Sequence, residues 1–556
     1  MNQAHRSLPP LAATGPAVAI ALAMTAAWTI AAWPSLSALA LPDTDDMARL
    51  AQVRDWLGGQ SFNDLTQYRL GASGGLPMHW SRLPDLVPGA IIAVLTPVIG
   101  VHMAEVAAVI ASPALLFALS LAFVARIALR LGSGRSAGIV AVVLGALAYP
   151  MTAMFLPGKI DHHGFQIVML LMAADAALGG PRGRGPPVAG LCIALSLAVG
   201  LENVLPLAVI PMLAGLAWIV RRADSERRLF GMGAGMAVGL AITTLLLRPR
   251  IWPADLCDSL TPALTQGAAA GAAAMILLPM LGKRLSQPMR MAAAGAALLA
   301  MGAVLIGPGH ACLAGPYGAV DPRLASLWLS HVAEAQPLLA LPVGTAIGYG
   351  GVFVTGLIVA LVRAVSLNRR RDRAMAALIL AASVAAMIQA RGSPSAAALA
   401  LPVLAAMIAD LRTRGGTARR VAGWLVSTGV FWTLIGGVIG GMIGGTGSGD
   451  EGAATRAIAS DCATPAALAK AAALPPGRVI APIDLSSHLL GATRHHVIAG
   501  AYHRNTDGNL AIIDYFHANP AARRAIERDL GADYVIQCAG SNDLSIRQIG
   551  HTDQHR

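Results

Sequence analysis

The sequence predicts a mainly α-helical bundle that crosses a membrane many times and carries a small α/β domain at its C-terminal end. Only 13% of the 556 residues are charged, whereas soluble proteins carry about 25%. The mean hydropathy is +0.61, and long apolar runs alternate with short basic clusters. The formal charge of +12 is scattered among these clusters. This pattern indicates membrane topology rather than nucleic-acid binding, so the lipid bilayer is an expected partner and nucleic acid is not.

Each crossing needs roughly 20 apolar residues, and this criterion predicts about thirteen spans. The spans cover residues 15–36, 103–128, 136–155, 163–180, 187–200, 203–220, 229–247, 265–281, 289–307, 339–363, 373–390, 393–410 and 421–443. The first run is long and lacks a clear small-residue cleavage site. We therefore interpret it as a retained helix rather than a cleaved signal peptide.

Basic residues occupy every second connection between these spans, which places those connections on the cytoplasmic side. The basic connections lie at 126–135, 182–184, 221–228, 283–290, 369–373 and 412–420. The other connections hold most of the acids and histidines. An odd number of spans puts the C-terminal tail on the same outer side.

Four of the five cysteines fall on that outer side, and Cys192 lies inside a span. In an oxidising compartment they can form two disulfides, which we predict as Cys462–Cys538 and Cys257–Cys312, with free thiols as the alternative. Together with the Ala-, Gly- and Arg-rich composition, this predicts a bacterial inner-membrane protein. Its active site and C-terminal domain would face the periplasm.

The chain divides into three parts. A transmembrane domain covers residues 1–443 and includes a first outer loop at 42–102 and a second large outer loop at 307–338. A Gly-rich linker follows at 444–454. Residues 455–556 contain strand-like runs, "RVIAPIDLS" and "ADYVIQC", and a helix-like run, "NPAARRAIERDLG", which predict the outer α/β domain.

The first outer loop carries two apolar-patterned segments. "DDMARLAQVRDWL" has apolar residues at near-helical spacing and predicts an interfacial helix. "LPDLVPGAIIAVLTPVIG" is apolar but contains three prolines. We expect it to lie flat on the membrane or to re-enter it before the second span.

Three polar clusters occupy the outer connections. The first is Asp43, Asp45 and Asp46; the second is "GKIDHHGFQ" from Gly158; the third is "SHVAEAQP", which contains Glu334. Helix capping and ordinary loop acids are the alternative explanations. Crowded carboxylates near lipid are costly without a cation, and carboxylate with imidazole suits a transition metal such as Mn, Fe or Zn.

In their order and loop positions, "DTDDMARL", "DHHGFQ" and "HVAEAQP" resemble the motifs of a GT-C superfamily glycosyltransferase. Within that superfamily the chain is similar to the catalytic subunit of oligosaccharyltransferases, which implies the same bundle of helices and an outer C-terminal domain. The resemblance implies that Asp45, Asp161 and His163 ligate a divalent cation, Mn or Mg. It implies that Glu334 helps to position the acceptor and completes the site, and that Arg391 in "IQARGSPS" contacts the lipid phosphate.

The implied reaction transfers a sugar or oligosaccharide from a polyprenyl-phosphate- or diphosphate-linked donor. The leaving group gains negative charge, which a cation and an arginine can stabilise. A carboxylate must orient or deprotonate the acceptor; we expect Asp45 first and Asp46 second, and direct attack would invert the anomeric configuration. Further candidates for substrate contact are Asp43, Arg49, His79, Trp80, Arg82, His162, Glu202, Asn203, His331, His495, His496 and His503.

The outer domain lacks the Trp-Trp-Asp motif that reads the glycosylation sequon in oligosaccharyltransferases. We therefore expect the acceptor to be a glycan, a lipid or a protein group other than a sequon asparagine. The principal alternative is a transporter or flippase of lipid-linked sugars that carries out no glycosyl transfer. A noncatalytic assembly protein is the third possibility.

Overall fold

A computed structural model describes most of the chain. The described residues are 13–132, 134–180, 183–246, 260–282, 284–309, 315, 317–318, 320–443, 462–540 and 542–549. The predicted Cys257–Cys312 pair and the predicted linker at 444–454 lie outside these residues.

Helices dominate the structure up to Ile443, as the sequence predicts. They are α1 (Thr14–Ser37), α2 (Thr44–Leu57), α3 (Leu86–Arg130), α4 (Arg135–Ala146), α5 (His163–Leu178), α6 (Gly185–Leu197), α7 (Val204–Ile219), α8 (Ser225–Leu246), α9 (Pro262–Gly282), α10 (Gln287–Gly309), α11 (Pro322–Leu327), α12 (Val343–Leu367), α13 (Arg370–Ile388), α14 (Ser393–Arg414), α15 (Thr417–Val426) and α16 (Gly429–Ile443). Their buried apolar faces form one large core, in which α14 is central and largely enclosed. The predicted fold class, a polytopic helical membrane bundle, is confirmed.

Within the described residues, seven helices are long and apolar enough to cross a membrane, or eight if α15 and α16, bent by 76°, form one broken span. Four shorter apolar helices, α4 to α7, accompany them. Each of the predicted spans overlaps a helix of the structure. The count of about thirteen crossings stays a prediction, because the short helices do not reach full span length by themselves.

The proline-rich segment of the first outer loop forms the first part of α3, from Leu86 to Gly100. The helix breaks at Gly100, whose φ of +77° lies in the region that favours glycine. Val94 and Val98, just before the break, are 70% and 78% exposed. Such a bare apolar surface suits contact with lipid, as the sequence predicts for a segment lying on or re-entering the membrane.

The C-terminal part contains a four-stranded sheet with flanking helices. Its strands are β3 (Arg478–Ile480), β4 (His496–Val497), β5 (Tyr534–Cys538) and β6 (Leu544–Gln548), in the order β4-β3-β5-β6. β3 is parallel to β4 and β5, and β6 is antiparallel to β5. A short hairpin in the first outer loop, β1 (Thr66–Gln67) and β2 (Leu76–Pro77), precedes these strands in the chain.

Four helices pack around this sheet. They are α17 (Pro465–Ala472), α18 (Ile483–Ala492), α19 (Thr506–His517) and α20 (Pro520–Asp529). The predicted helix corresponds to α20, where the Asn519 side chain caps the first turn and Gly531 follows the end with φ +60°. Cys462 and Cys538 are joined by a disulfide, which confirms that predicted pairing.

The outer sheet and the first outer loop share one apolar core. Leu70 and Trp80 of the loop lie in the same buried cluster as Val479 and Leu489 of the C-terminal part. The backbones also bond directly, because the N–H of Val497 donates to the Arg69 carbonyl at 2.8 Å. The sheet is therefore fixed to the loop that carries the first acidic cluster.

Gly491 of α18 packs closely against α2. A Cβ atom at this position would lie 2.7 Å from the Met47 carbonyl oxygen. We expect Gly491→Val to loosen the contact between the two helices at a cost of about 1–3 kcal/mol, the range for overpacking a tight interface. Thermal unfolding and limited proteolysis of the outer part will measure the loss.

Gly437→Val is the matched control for this prediction. Gly437 is also helical, but nothing lies within 4 Å of the position that a Cβ atom would take. If both variants unfold at the same temperature, the close packing of α18 on α2 is wrong.

Candidate active site

Three outer segments that are distant in sequence meet at one end of the helical bundle. They are the start of α2, the turn before α5 and the short 3-10 turn Ala333–Ala335. His163 Nε2 lies 3.9 Å from Glu334 Oε2, and Arg391 Nη2 lies 3.2 Å from Glu334 Oε1. The structure thus brings the three predicted clusters and the predicted arginine together.

Local backbone geometry explains how the second segment reaches the first. Gly158 has φ +93°, and a Cβ atom there would lie 2.8 Å from Pro42 Cδ, so only glycine fits this turn. Asp161 Oδ1 then accepts the His163 N–H at 2.9 Å at the beginning of α5. On the other side, Asp43 caps α2 by accepting the Asp45 N–H at 3.2 Å.

Lys159 supplies the cation that the crowded aspartates require. Its ammonium lies 2.7 Å from Asp43 Oδ2, 3.4 Å from Asp46 Oδ2 and 3.9 Å from Asp161 Oδ2. Burial alone would lower its pKa, but the charges of Asp46, Asp161 and Asp43 outweigh that effect and raise it. Lys159 belongs to the motif "GKIDHHGFQ". Two of its three carboxylate partners, Asp43 and Asp46, lie more than 110 positions earlier in the chain, so its role depends on the tertiary structure.

Asp46 has a second, structural task. Its Oδ1 atom accepts the N–H groups of Ile160 and Asp161 at 2.8 and 2.9 Å, and its side chain is fully buried. Burial raises its pKa to about 8, although the Lys159 charge opposes the shift. Asp46 therefore holds the turn before α5 against the start of α2.

Asp45 differs from both of its neighbours. Among the described residues, none donates a hydrogen bond to its carboxylate or forms an ion pair with it. Desolvation and the charges of Asp43, Glu334 and Asp161 raise its pKa well above the usual value. This carboxylate is free to bind a cation, and a cation there would relieve the repulsion among the acids.

A second group of possible metal ligands adjoins the first. The donor atoms of His162, His163 and Glu202 all lie within 4.8 Å of one another. His162 Nε2 lies 2.9 Å from Glu202 Oε1, and the Gln166 amide donates to Glu202 Oε2 at 2.8 Å. Imidazole and carboxylate donors fit a transition metal, and His163 is common to this group and to the predicted set of Asp45, Asp161 and His163.

Burial lowers the pKa of His162, with the charge of His163 acting in the same direction. The pKa of Glu202 is lowered, because His162 and His163 outweigh the effect of burial. A neutral imidazole next to a charged carboxylate is the state in which both can bind or orient a cation. Sequence reasoning gave Glu202 little weight, since only its contact with His162 across a helix connection reveals it.

The remaining candidates fall into two groups. Arg49 and Arg82 are 1% exposed and bind Asp85 in the core of the first outer loop, at 2.6 and 3.3 Å. His495 is buried in the C-terminal part, where one ring nitrogen lies 3.0 Å from the Ala471 carbonyl oxygen. Because these side chains already have buried partners, we do not include them in the proposed site.

The other group borders Arg391. His79 stacks on Tyr502 with ring centroids 5.3 Å apart, and His503 lies 5.4 Å from His79. Tyr317 bridges to the site, since it contacts His503 at 5.2 Å and lies under the Arg391 guanidinium at 5.5 Å. His331 lies beside Ser330, in the 3-10 turn that precedes Glu334. His496 lies in β4, opposite Arg478 of β3.

Comparison with known proteins identifies the fold. The archaeal oligosaccharyltransferase AglB from Archaeoglobus fulgidus, in complex with an inhibitory peptide and a dolichol-phosphate, superposes with a TM-score of 0.66 at 14% identity. The match covers 95% of this chain and 69% of that one. The same organism's enzyme in complex with Zn and sulfate gives 0.61 at 14% identity, over 89% of this chain and 64% of that one.

No protein-family model and no curated protein sequence matches the chain. At 14% identity the structural likeness concerns the fold. The predicted resemblance to oligosaccharyltransferase catalytic subunits is confirmed at that level.

Proposed function

We propose that this multi-pass membrane protein is a glycosyltransferase. It transfers a sugar or oligosaccharide from a polyprenyl-phosphate- or diphosphate-linked donor to a glycan, lipid or protein acceptor. One observation carries the proposal: the unpaired Asp45 carboxylate lies beside Asp161, His163 and Glu334, in a bundle with the fold of AglB. The two Archaeoglobus fulgidus oligosaccharyltransferase structures contain dolichol-phosphate in one case and Zn in the other, which supports a lipid-linked donor and a bound metal.

Asp45, Asp161 and His163 would hold the divalent cation, for which we propose Mn or Mg. A bound cation would supply positive charge to the phosphate that leaves with the lipid. Glu202 holds His162 through Nε2, and this contact orients the histidine pair at the start of α5. Asp43 and Asp46 both form ion pairs with Lys159. We therefore assign Asp45 as the carboxylate that also orients the acceptor nucleophile.

Arg391 would bind the lipid phosphate. Its guanidinium is 15% exposed and is held between the Glu334 carboxylate and the Tyr317 ring, which fixes its planar donors. Glu334 would thereby both hold this arginine and complete the site toward the acceptor. His79 and His503 border the same space and are proposed sugar or acceptor contacts. Direct attack by the acceptor would invert the anomeric configuration.

We place the site on the periplasmic face of a bacterial inner membrane. The disulfide between Cys462 and Cys538 supports an oxidising outer compartment. The first outer loop, which carries the first acidic cluster, shares a core with the outer sheet, while Arg130 and Arg371 lie together at the other end of the bundle. We keep the domain limits proposed from the sequence, with a membrane part that ends at residue 443.

The test uses membranes that contain the wild-type protein or Asp161→Asn, together with natural acceptors. Radiolabelled sugars linked to short polyprenyl phosphates and diphosphates serve as donors. We expect label to move from the lipid to an acceptor in wild-type membranes, EDTA to stop the transfer, and Mn²⁺ to restore it, because the acids need a cation to stabilise the leaving group.

Asp514→Asn is the control, since Asp514 is an exposed acid of α19 that pairs with Arg323. Transfer that continues at full rate in EDTA or in Asp161→Asn would refute the metal site. If a fluorescent lipid-linked sugar instead crosses liposome membranes without any transfer, the protein is a transporter.

A further inference from the structure

A second charged cluster lies at the opposite end of the bundle from the carboxylates. We define the arginine cluster as Arg130, Arg228, Arg369, Arg370 and Arg371. α5 begins at His163 in the site and ends at Leu178, next to the cluster. At 1.5 Å per residue, its 16 residues separate the two ends by roughly 24 Å.

Backbone carbonyls fix two of these arginines. Arg228 donates to the carbonyl oxygens of Ala177 and Gly179 at 2.5 and 2.9 Å. Arg371 donates to the carbonyl oxygen of Arg130 at 2.8 Å. The guanidinium groups are therefore held in place with further N–H donors to spare.

The other members lie against the same two loops. A Cβ atom on Gly179 would lie 3.6 Å from the Arg130 guanidinium, and one on Gly132 would lie 3.5 Å from that of Arg369. Arg370 and Arg371 are within electrostatic range of Arg228. The end of α3 and the starts of α8 and α13 thus bring like charges together.

Of the five cluster arginines, only Arg130 pairs with a nearby acid among the described residues. Asp175 already binds both Arg126 and Arg130, at 2.8 and 2.5 Å. Asp372 and Asp410 bind Arg363, both at 2.9 Å. Across the described ranges, Arg228, Arg369, Arg370 and Arg371 form no ion pair.

Bare apolar surface adjoins the cluster. Val362 and Val365 of α12, just before Arg369, are 58% and 83% exposed. A surface that offers fixed guanidinium groups next to exposed valines matches an amphiphile with an anionic head and hydrocarbon chains. Arginine binds phosphate oxygens in a planar, two-pronged geometry.

From this arrangement we infer that the arginine cluster is a binding site for the phosphate head of an anionic membrane lipid, with its chains lying on the exposed face of α12. The site is separate from the proposed active site and does not depend on glycosyl transfer. Basic residues close to the ends of membrane helices attract anionic lipid heads in this way.

The test compares two double variants of the full-length purified protein. Arg369→Gln/Arg370→Gln removes two exposed guanidinium groups that form no side-chain hydrogen bond within the described part of the chain, so folding should be unaffected. Arg419→Gln/Arg420→Gln removes two exposed arginines of α15 and makes the same change in charge. Native mass spectrometry and thermal shift with phosphatidylglycerol, cardiolipin and phosphatidylcholine report lipid binding.

We expect the first variant to bind phosphatidylglycerol and cardiolipin about tenfold more weakly or worse, and the α15 variant to bind as wild type. We expect phosphatidylcholine to show no specific binding, and its binding should not differ between the wild type and the two variants. Equal losses in both variants would mean that only overall charge matters, and would overturn the site.

Inorganic phosphate distinguishes a lipid head from a soluble anion. If millimolar phosphate displaces the bound lipid and stabilises the protein equally well, the site takes free phosphate and the lipid assignment is wrong. Arg228→Gln offers a second measurement. Loss of the Arg228 guanidinium should weaken the binding of the same lipids although Arg369 and Arg370 are still present.

Discussion

Asp45→Asn is expected to lower sugar transfer by about a hundredfold to a thousandfold, the range seen when one group that stabilises developing charge is removed. The same substitution should raise the thermal stability of the metal-free protein. Asparagine keeps the shape of the side chain but cannot supply the negative charge that a divalent ligand site requires. Assays of transfer at saturating Mn²⁺, and unfolding in EDTA, measure the two effects.

The gain in stability follows from the electrostatics of the site. The pKa of Asp45 is raised because its charge is desolvated and repelled by Asp43, Glu334 and Asp161. A carboxylate in that position destabilises the folded state at neutral pH unless a cation is bound, and the neutral amide removes this penalty. Function and stability therefore move in opposite directions at this residue.

Asp46→Asn is the informative comparison for Asp45→Asn. Its carboxylate is a buried partner of Lys159 and accepts two backbone N–H groups. We expect this variant to unfold at a lower temperature than Asp45→Asn, because the amide weakens the hydrogen bonds to Ile160 and Asp161 and removes a charged partner of Lys159. If Asp45→Asn retains transfer, or if the two variants unfold at the same temperature, the division between a free ligand and a structural carboxylate is wrong.

Lys159→Met is expected to destabilise the outer end of the bundle by about 3–5 kcal/mol, the cost of removing one partner from a buried ion pair. The ammonium is 12% exposed and faces three carboxylates within 3.9 Å. Methionine fills a similar volume, so the loss reports charge rather than packing. Thermal unfolding and proteolysis of the first outer loop will record it.

Divalent cations should partly rescue this variant, because Asp43, Asp46 and Asp161 would then be free to bind one. We expect Mn²⁺ or Ca²⁺ to raise the melting temperature of Lys159→Met more than that of wild type. Lys470→Met is the control, since Lys470 pairs with Asp543 at 2.6 Å but both side chains are exposed. Equal stability of the two variants, or no added response to cations, would contradict the role of Lys159.

The membrane architecture and the identity of the polar clusters could be predicted from sequence because both depend on local patterns. Apolar run length predicts helices, and the three acidic motifs stand in connections of the same side. The helix of residues 520–529 could be predicted from its capping residues. The Cys462–Cys538 disulfide could be predicted because both cysteines were expected in an oxidising compartment.

The role of each residue inside those clusters depends on contacts between segments far apart in the chain. The three aspartates within four positions cannot be told apart from the sequence. In the structure Lys159 forms ion pairs with Asp43 and Asp46, whereas Asp45 forms none among the described residues. From the sequence, Arg49 and Arg82 are candidates for substrate contact. In the structure both form buried ion pairs with Asp85.

The sequence by itself determined that this chain is a helical membrane protein with acids, histidines and a small domain on one side. Only the tertiary structure decided which carboxylates are neutralised, that Glu202 holds His162, and which arginines come together at the opposite end of the bundle. The physical reason is the distance along the chain over which each effect acts. The length of an apolar run and the capping of a helix depend on residues that are close in sequence. Charge pairing acts across space, and Asp43 and Lys159 are 116 positions apart in the chain.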